Sequence, residues 1–162
     1  MKRSVFFSGL LLGSLLAGCG GNAPTPATAD ARGGASRQGD VIERVGDVEI
    51  RASVVQTSAL PDSVARQYGI ERDAKTLLLL VAVRKGPAAS AIALPARVTA
   101  KVTDLRGGQQ DIVMREIQTG GLVDAVGTTR TTLPDTLRFD LTVAVDAMAP
   151  VRMQFEREFY PQ

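Results

Sequence analysis

The strongest constraint on this chain is a two-residue alternation of apolar and polar side chains that recurs along most of its length after residue 40. Val48, Ile50, Ala52 and Val54 alternate with Glu49, Arg51 and Ser53. Successive side chains of an extended chain point to opposite faces, so this spacing predicts a strand with one dry face and one wet face. The pattern returns in Ala96, Val98, Ala100 and Val102 against Arg97, Thr99, Lys101 and Thr103. It returns again in Phe139, Leu141, Val143 and Val145 against Arg138, Asp140 and Thr142, and in Val151, Met153 and Phe155, continuing to Phe159. Residues 77–83 form an unbroken apolar run instead, as expected of a central strand covered on both faces. Weaker strand signals lie at 110–119 and 122–131, parted by Gly120-Gly121, and Gly107-Gly108 reads as a hairpin turn.

One short helix interrupts the strands. Pro61 and Asp62 suit a first turn, and Gly69 after Tyr68 suits a C-terminal stop. Two turns are not stable alone, so this helix is expected to plug one end of the sheets. About seven strands in about 120 residues predict an all-β fold, an immunoglobulin-like antiparallel β-sandwich with one short helix, spanning 41–162. Aromatic residues make up 4% of the chain and Trp is absent, so the core must be built from Val, Leu, Ile and Ala.

The amino terminus carries a different signal. Lys2 and Arg3 precede an apolar run at 5–16, which is of signal-peptide length and short for a bilayer span. It ends in Leu16-Ala17-Gly18-Cys19, which resembles the bacterial lipobox: small residues thread the peptidase cleft and the Cys thiolate takes up diacylglycerol. Cys19 is the only Cys in the chain. Residues 1–18 are therefore expected to be a lipoprotein signal peptide, and Cys19 the lipid-carrying first residue of the mature chain. Gly20, rather than Asp, after that Cys implies the periplasmic face of the outer membrane. Residues 19–40, rich in Gly, Ala, Pro and Thr, read as a flexible tether. About 20 such residues span roughly 25 Å on average.

Composition narrows the chemistry. The formal charge of +2 includes Lys2 and Arg3; without them 17 of the 19 basic residues remain, against 17 acids. A chain with no basic excess has no electrostatic footprint for nucleic acid or for an anionic membrane surface. The absence of His and the single Cys remove the commonest general base, any His or Cys zinc site and internal disulfides. No cofactor and no enzymatic activity are expected.

Four motifs occur in one order along the domain: Gly46-Asp47-Val48-Glu49-Ile50, Ala65-Arg66-Gln67-Tyr68-Gly69-Ile70, Leu137-Arg138-Phe139-Asp140 and Phe155-Glu156-Arg157-Glu158-Phe159-Tyr160. Their order and spacing over 45–160 resemble the proteobacterial envelope family known as domain of unknown function 4426. The resemblance implies an envelope location and this fold, and brings no catalytic residues. The chain departs from the family pattern in having no aromatic residue at 122–132 or in the strand beginning at Val48.

Several polar groups carry a chemical reading beside a plain one. Asp104 and Asp111 flank the Gly107-Gly108 turn and are placed to face each other across the hairpin mouth; two carboxylates fall short of the six or more oxygens of a calcium site, so solvated turn residues are expected and no metal. The hydroxyls and guanidinium of Thr128, Thr129, Arg130, Thr131 and Thr132 suit a glycan or phosphate, although Thr is also common on exposed strand faces. Ser53, Ser58, Ser63 and Ser90 have no His to activate them. Arg66 is expected to pair with Asp62, and Tyr68 to bond from the helix to a sheet edge. Phe159 and Tyr160 are either an exposed hook for a partner or a closing strand that buries Phe159. Candidate partner contacts are thus Arg66, Tyr68, Phe159 and Tyr160. The expected role is an accessory module binding an envelope protein, with a small apolar-ligand carrier, its pocket between the sheets near the helix, as the alternative.

Overall fold

Each alternating segment is a strand in the computed structural model, which describes residues 39–161. The expected signal peptide, Cys19 and the expected tether as far as residue 38 lie outside the described residues. The strands are β1 (Val41–Val45), β2 (Val48–Gln56), β3 (Thr76–Lys85), β4 (Ile92–Ala93), β5 (Arg97–Thr103), β6 (Gln109–Ile112), β7 (Arg115–Thr119), β8 (Leu122–Arg130), β9 (Asp135–Ala144) and β10 (Val151–Phe159). A helix, α1 (Asp62–Tyr68), sits between β2 and β3 after a short 3-10 turn at Thr57–Ala59.

All pairings are antiparallel. The larger sheet runs β1-β2-β3-β8-β7, with β4 added to β3, and the smaller runs β10-β9-β5-β6. Eight of these strands follow the immunoglobulin order: β2-β3-β8-β7 stand as A-B-E-D, and β10-β9-β5-β6 as G-F-C-C′. The fold class is therefore the expected sandwich, but with ten strands rather than about seven. The extra three arise from β1, from the two-residue β4, and from a break within 110–119. That segment is two strands in different sheets, joined by a crossover at Val113-Met114.

The inward faces behave as the alternation predicts. β2 shows burial at every second residue from Val48, and β5, β9 and much of β10 do likewise. Phe139 and Phe155 stack at the centre with ring centroids 5.2 Å apart. Ile50, Leu77, Leu79 and Val143 are fully buried around them. β3 is central and also buries Leu78 and Ala82 on its outward side, which explains its unbroken apolar run. Gly127 marks a close approach: a Cβ there would lie 2.8 Å from the Val113 carbonyl oxygen and 2.6 Å from Ile112 Cγ2. Only a residue without a side chain lets the crossover lie against β8.

α1 starts with the Pro61 carbonyl accepting from the Val64 and Ala65 N–H groups. It ends at Gly69, whose φ of 60° is the left-handed stop that glycine adopts freely. The connection 57–75 lies at one end of the larger sheet. It reaches the edge strand β7, where the Arg115 guanidinium donates to the Tyr68 carbonyl.

Candidate functional site

Three connections meet at the α1 end and form a polar cup of about 370 Å³. One is the β5–β6 turn. There Asp104 Oδ1 accepts from the N–H groups of Arg106 (2.9 Å) and Gly108 (2.7 Å), so the side chain shapes the turn. The second is the β8–β9 corner, which passes through a cis Leu133-Pro134 peptide. Here the Thr131 hydroxyl donates to Asp135 at 2.9 Å. The third is the approach to β3, held to the corner by the Thr131 N–H bonding the Lys75 carbonyl at 2.9 Å.

Lys75, Arg106 and Arg130 line the cup with Thr131, Thr132 and Gln110, over a floor that includes Val102 and Leu137. Among the described residues the Arg130 side chain has one partner, Asp73 at 3.4 Å, and it stays 72% exposed. Lys75 and Arg106 form no ion pair among the described residues. The Lys75 backbone N–H, 2.6 Å from the Asp73 carboxylate, with Arg130 beside it, holds that carboxyl below its usual range. The cup thus offers cationic and hydroxyl donors, while the nearby carboxylates accept from groups of the protein itself.

The residues singled out in the sequence are dispersed. Asp111 pairs opposite Lys101, not Asp104, so the two acids do not face each other across the hairpin. Thr129 is buried and donates to Gln110, Thr128 is exposed on the other face, and Arg130, Thr131 and Thr132 reach the cup. Arg66 is exposed, and its expected partner Asp62 pairs with Arg72 instead. Tyr68 does tie the helix to an edge strand, through its carbonyl and not its hydroxyl. Phe159 is buried at 8% exposure, which favours the closing-strand reading over the hook. Tyr160 is 60% exposed; its hydroxyl donates to Glu158 at 2.7 Å, and that carboxylate raises the phenol pKa.

Other contacts close the same end. The buried Gln56 amide donates to the carbonyls of Ala74 and Tyr160, both at 3.1 Å. Thr57 Oγ1 donates to the Asp73 carbonyl and accepts from the Asp73 N–H. Gly39 and Asp40, the last described residues before β1, are also bonded here. Arg157 of β10 lies over the Phe155 ring and donates twice to the Gly39 carbonyl, at 2.7 and 3.0 Å. Asp40 accepts from Arg51 and Ser53. The chain therefore joins the domain at the end that carries the cup. Among the described residues there is no group of three or more potential metal ligands of the His, Cys, Asp or Glu type.

The sequence does not mark Lys75 and Arg106 as members of one site. They stand 31 residues apart, and only the sandwich brings them together.

The two sheets and their connections define a β-sandwich of immunoglobulin-like strand order, with a polar cup at the end bearing the helix. The chain belongs to the family described as Domain of unknown function (DUF4426), whose model matches residues 42–162. It is similar to a DUF4426 family protein from Pseudomonas aeruginosa at 22% identity, with a TM-score of 0.66, over 78% of this chain and 98% of that one. It is similar in fold to FetP of uropathogenic Escherichia coli at 8% identity, with a TM-score of 0.54, over 76% of this chain and 95% of that one. A copper-bound variant of FetP has the same TM-score at 9% identity, over 75% of this chain and 95% of that one. No curated protein matches the sequence.

Proposed function

We propose that this protein is a non-enzymatic accessory module of the bacterial envelope, anchored by lipid on Cys19 to the periplasmic face of the outer membrane, that binds an envelope protein through a sheet edge. The observation that carries the reading is β10: nine residues long, paired on one side to β9, with no strand on its other side among the described residues. An extended segment of a partner can add to such an edge through main-chain hydrogen bonds. Arg157 shields the end of that edge by turning back to Gly39, as charged residues on natural edge strands do, which leaves 151–155 as the accessible stretch.

The lack of His, and a strand register that separates the candidate acids, support a binding role over a catalytic one. The copper of the FetP variant is not carried across, because that likeness is one of fold and this chain has no His.

A photo-crosslinker at exposed Arg152 in intact cells is expected to recover one recurrent envelope protein, and the same crosslinker at Gln109 of β6 is not. Equal recovery from both sites, or no recurrent partner from Arg152, refutes the edge. Labelled palmitate should enter the wild type and not Cys19→Ala; label in the mutant refutes the anchor.

A second reading has its own observation. At the end opposite α1, a cleft of about 510 Å³ between the sheets is lined by Val45, Val48, Leu94, Pro95, Val145 and Met148 among others. An apolar ligand would sit there and not beside the helix, where the cavity is lined by polar groups such as Glu71, Asp73, Arg115 and Arg130. Native mass spectrometry of the purified protein, ligand-free throughout, would sink the carrier reading.

A further inference from the structure

We infer that the cup at the α1 end is a receptor for the phosphate of an anionic lipid headgroup, so that the domain docks on the bilayer to which its tether leads. Three side chains supply the charge. Among the described residues Lys75 and Arg106, both exposed, form no ion pair, and Arg130 is held by Asp73 alone, at 3.4 Å. The Thr132 hydroxyl stands in the same wall, while the Thr131 hydroxyl gives its proton to Asp135. A phosphate group carries several acceptor oxygens on one centre, and such a ring of Lys, Arg and hydroxyl donors satisfies them together.

The acids of the lining, Asp104 and Asp135, keep their charge and offset two of the three cations, which leaves the lining one net positive charge. Asp104 accepts from two backbone N–H groups and Asp135 from the Thr131 hydroxyl. A near-neutral chain can therefore still present a local cationic site, because it is the clustering at one cavity that matters and not the total.

Two further observations point to a lipid surface as the source of the phosphate. Leu105, next to Arg106 at the tip of the β5–β6 turn, is 73% exposed. An apolar side chain beside a cation suits the boundary between headgroups and acyl chains. The chain also joins the domain at Gly39, on this same end. The inference rests on the lipid-anchor reading for the nearness of a bilayer, and the two can fail separately.

The test uses the chain from residue 19 onward without lipid, which keeps every described residue of the domain core. Vesicles of phosphatidylcholine with 30 mol% phosphatidylglycerol, as an example composition, are floated with the protein, beside vesicles of phosphatidylcholine alone. Binding is expected to the anionic vesicles only and to weaken with salt. Each cation near a charged surface contributes about 1 kcal/mol, so Arg106→Gln should lower the partition coefficient about fivefold, and adding Lys75→Gln about fivefold again. Leu105→Ser should also lower it, and all three should melt with the wild type. Equal binding by wild type and the double variant, or no binding to anionic vesicles, overturns the inference. If inorganic phosphate shifts the Arg130 and Thr131 amide resonances while vesicles are ignored, a soluble phosphate replaces the lipid and the docking claim is overturned. The palmitate experiment reads the anchor alone, so a failed anchor and a failed cup give different results.

Discussion

The two ends of the sandwich are closed by opposite means. At the α1 end, a 19-residue connection between β2 and β3 folds back on the sheets, and buried polar side chains tie its backbone down. Gln56 and Thr57 reach the carbonyls of Ala74, Tyr160 and Asp73, so three carbonyls outside the sheets find donors in buried side chains. At the other end, short turns close the hairpins β1–β2 and β9–β10, and an apolar seam stays open between them. Val45 is 45% exposed at its mouth, and Ala147 holds a φ of 62° that a residue with a Cβ adopts at a cost. A sandwich thus needs its core filled everywhere, but its ends are free to differ, and that freedom gives one end donors for an anion and the other a cleft for apolar groups.

The sharpest way to break this contrast is truncation. Leu77, fully buried where β3 begins at the α1 end, should lose about 2–5 kcal/mol on Leu77→Ala. Val45→Ala at the open seam should stay within about 0.5 kcal/mol. Urea unfolding that finds the two equal would show the ends to be packed alike. Gln56→Leu is next: it leaves the Ala74 and Tyr160 carbonyls without that donor and should cost about 1–3 kcal/mol. A smaller loss would mean that water satisfies those carbonyls, and that the polar closure adds little.

At the open end the sign reverses. Ala147→Gly relieves the left-handed backbone and should raise stability by about 0.5–1 kcal/mol, read as a higher melting temperature. A lower one would mean that the Ala147 methyl packs across the seam.

The smallest effect is electrostatic. Asp73 has a folded pKa below its ordinary 3.8, chiefly through the Lys75 N–H. Its stabilising contribution is therefore complete above 3.8 and is lost as pH falls through the lowered value. An NMR titration should find the Asp73 midpoint under 3.8; a midpoint at or above it would detach Arg130 from this carboxylate and with it the electrostatics drawn for the cup.

Much of the fold is legible in the residues because a half-buried strand has to alternate. β2, β5, β9 and β10 follow directly, and α1 with its Pro61 start and Gly69 stop follows from backbone preferences. The crossover between β6 and β7 is illegible for an equally physical reason. Val113-Met114 holds no Gly or Pro, so a change of sheet looks like a continuous strand, and the residue that permits it, Gly127, lies on β8. β1 hides because Val41-Ile42-Glu43-Arg44-Val45 does not alternate: as an edge strand it buries little, and its burial selects no face. The candidate site was half visible. Arg130, Thr131 and Thr132 could be singled out as a local run, whereas Lys75 and Arg106 carry no local mark.

By itself the sequence determined which segments extend, where the helix starts and stops, and which chemistries lack their residues, since backbone sterics, side-chain period and composition act over a few positions. Only the tertiary structure decided that Asp111 meets Lys101 and not Asp104, that Arg157 reaches back to Gly39, and that three distant cations share one cavity. Those outcomes depend on strand register and sheet order, which arise from packing the whole core at once and leave no trace in any short stretch of chain.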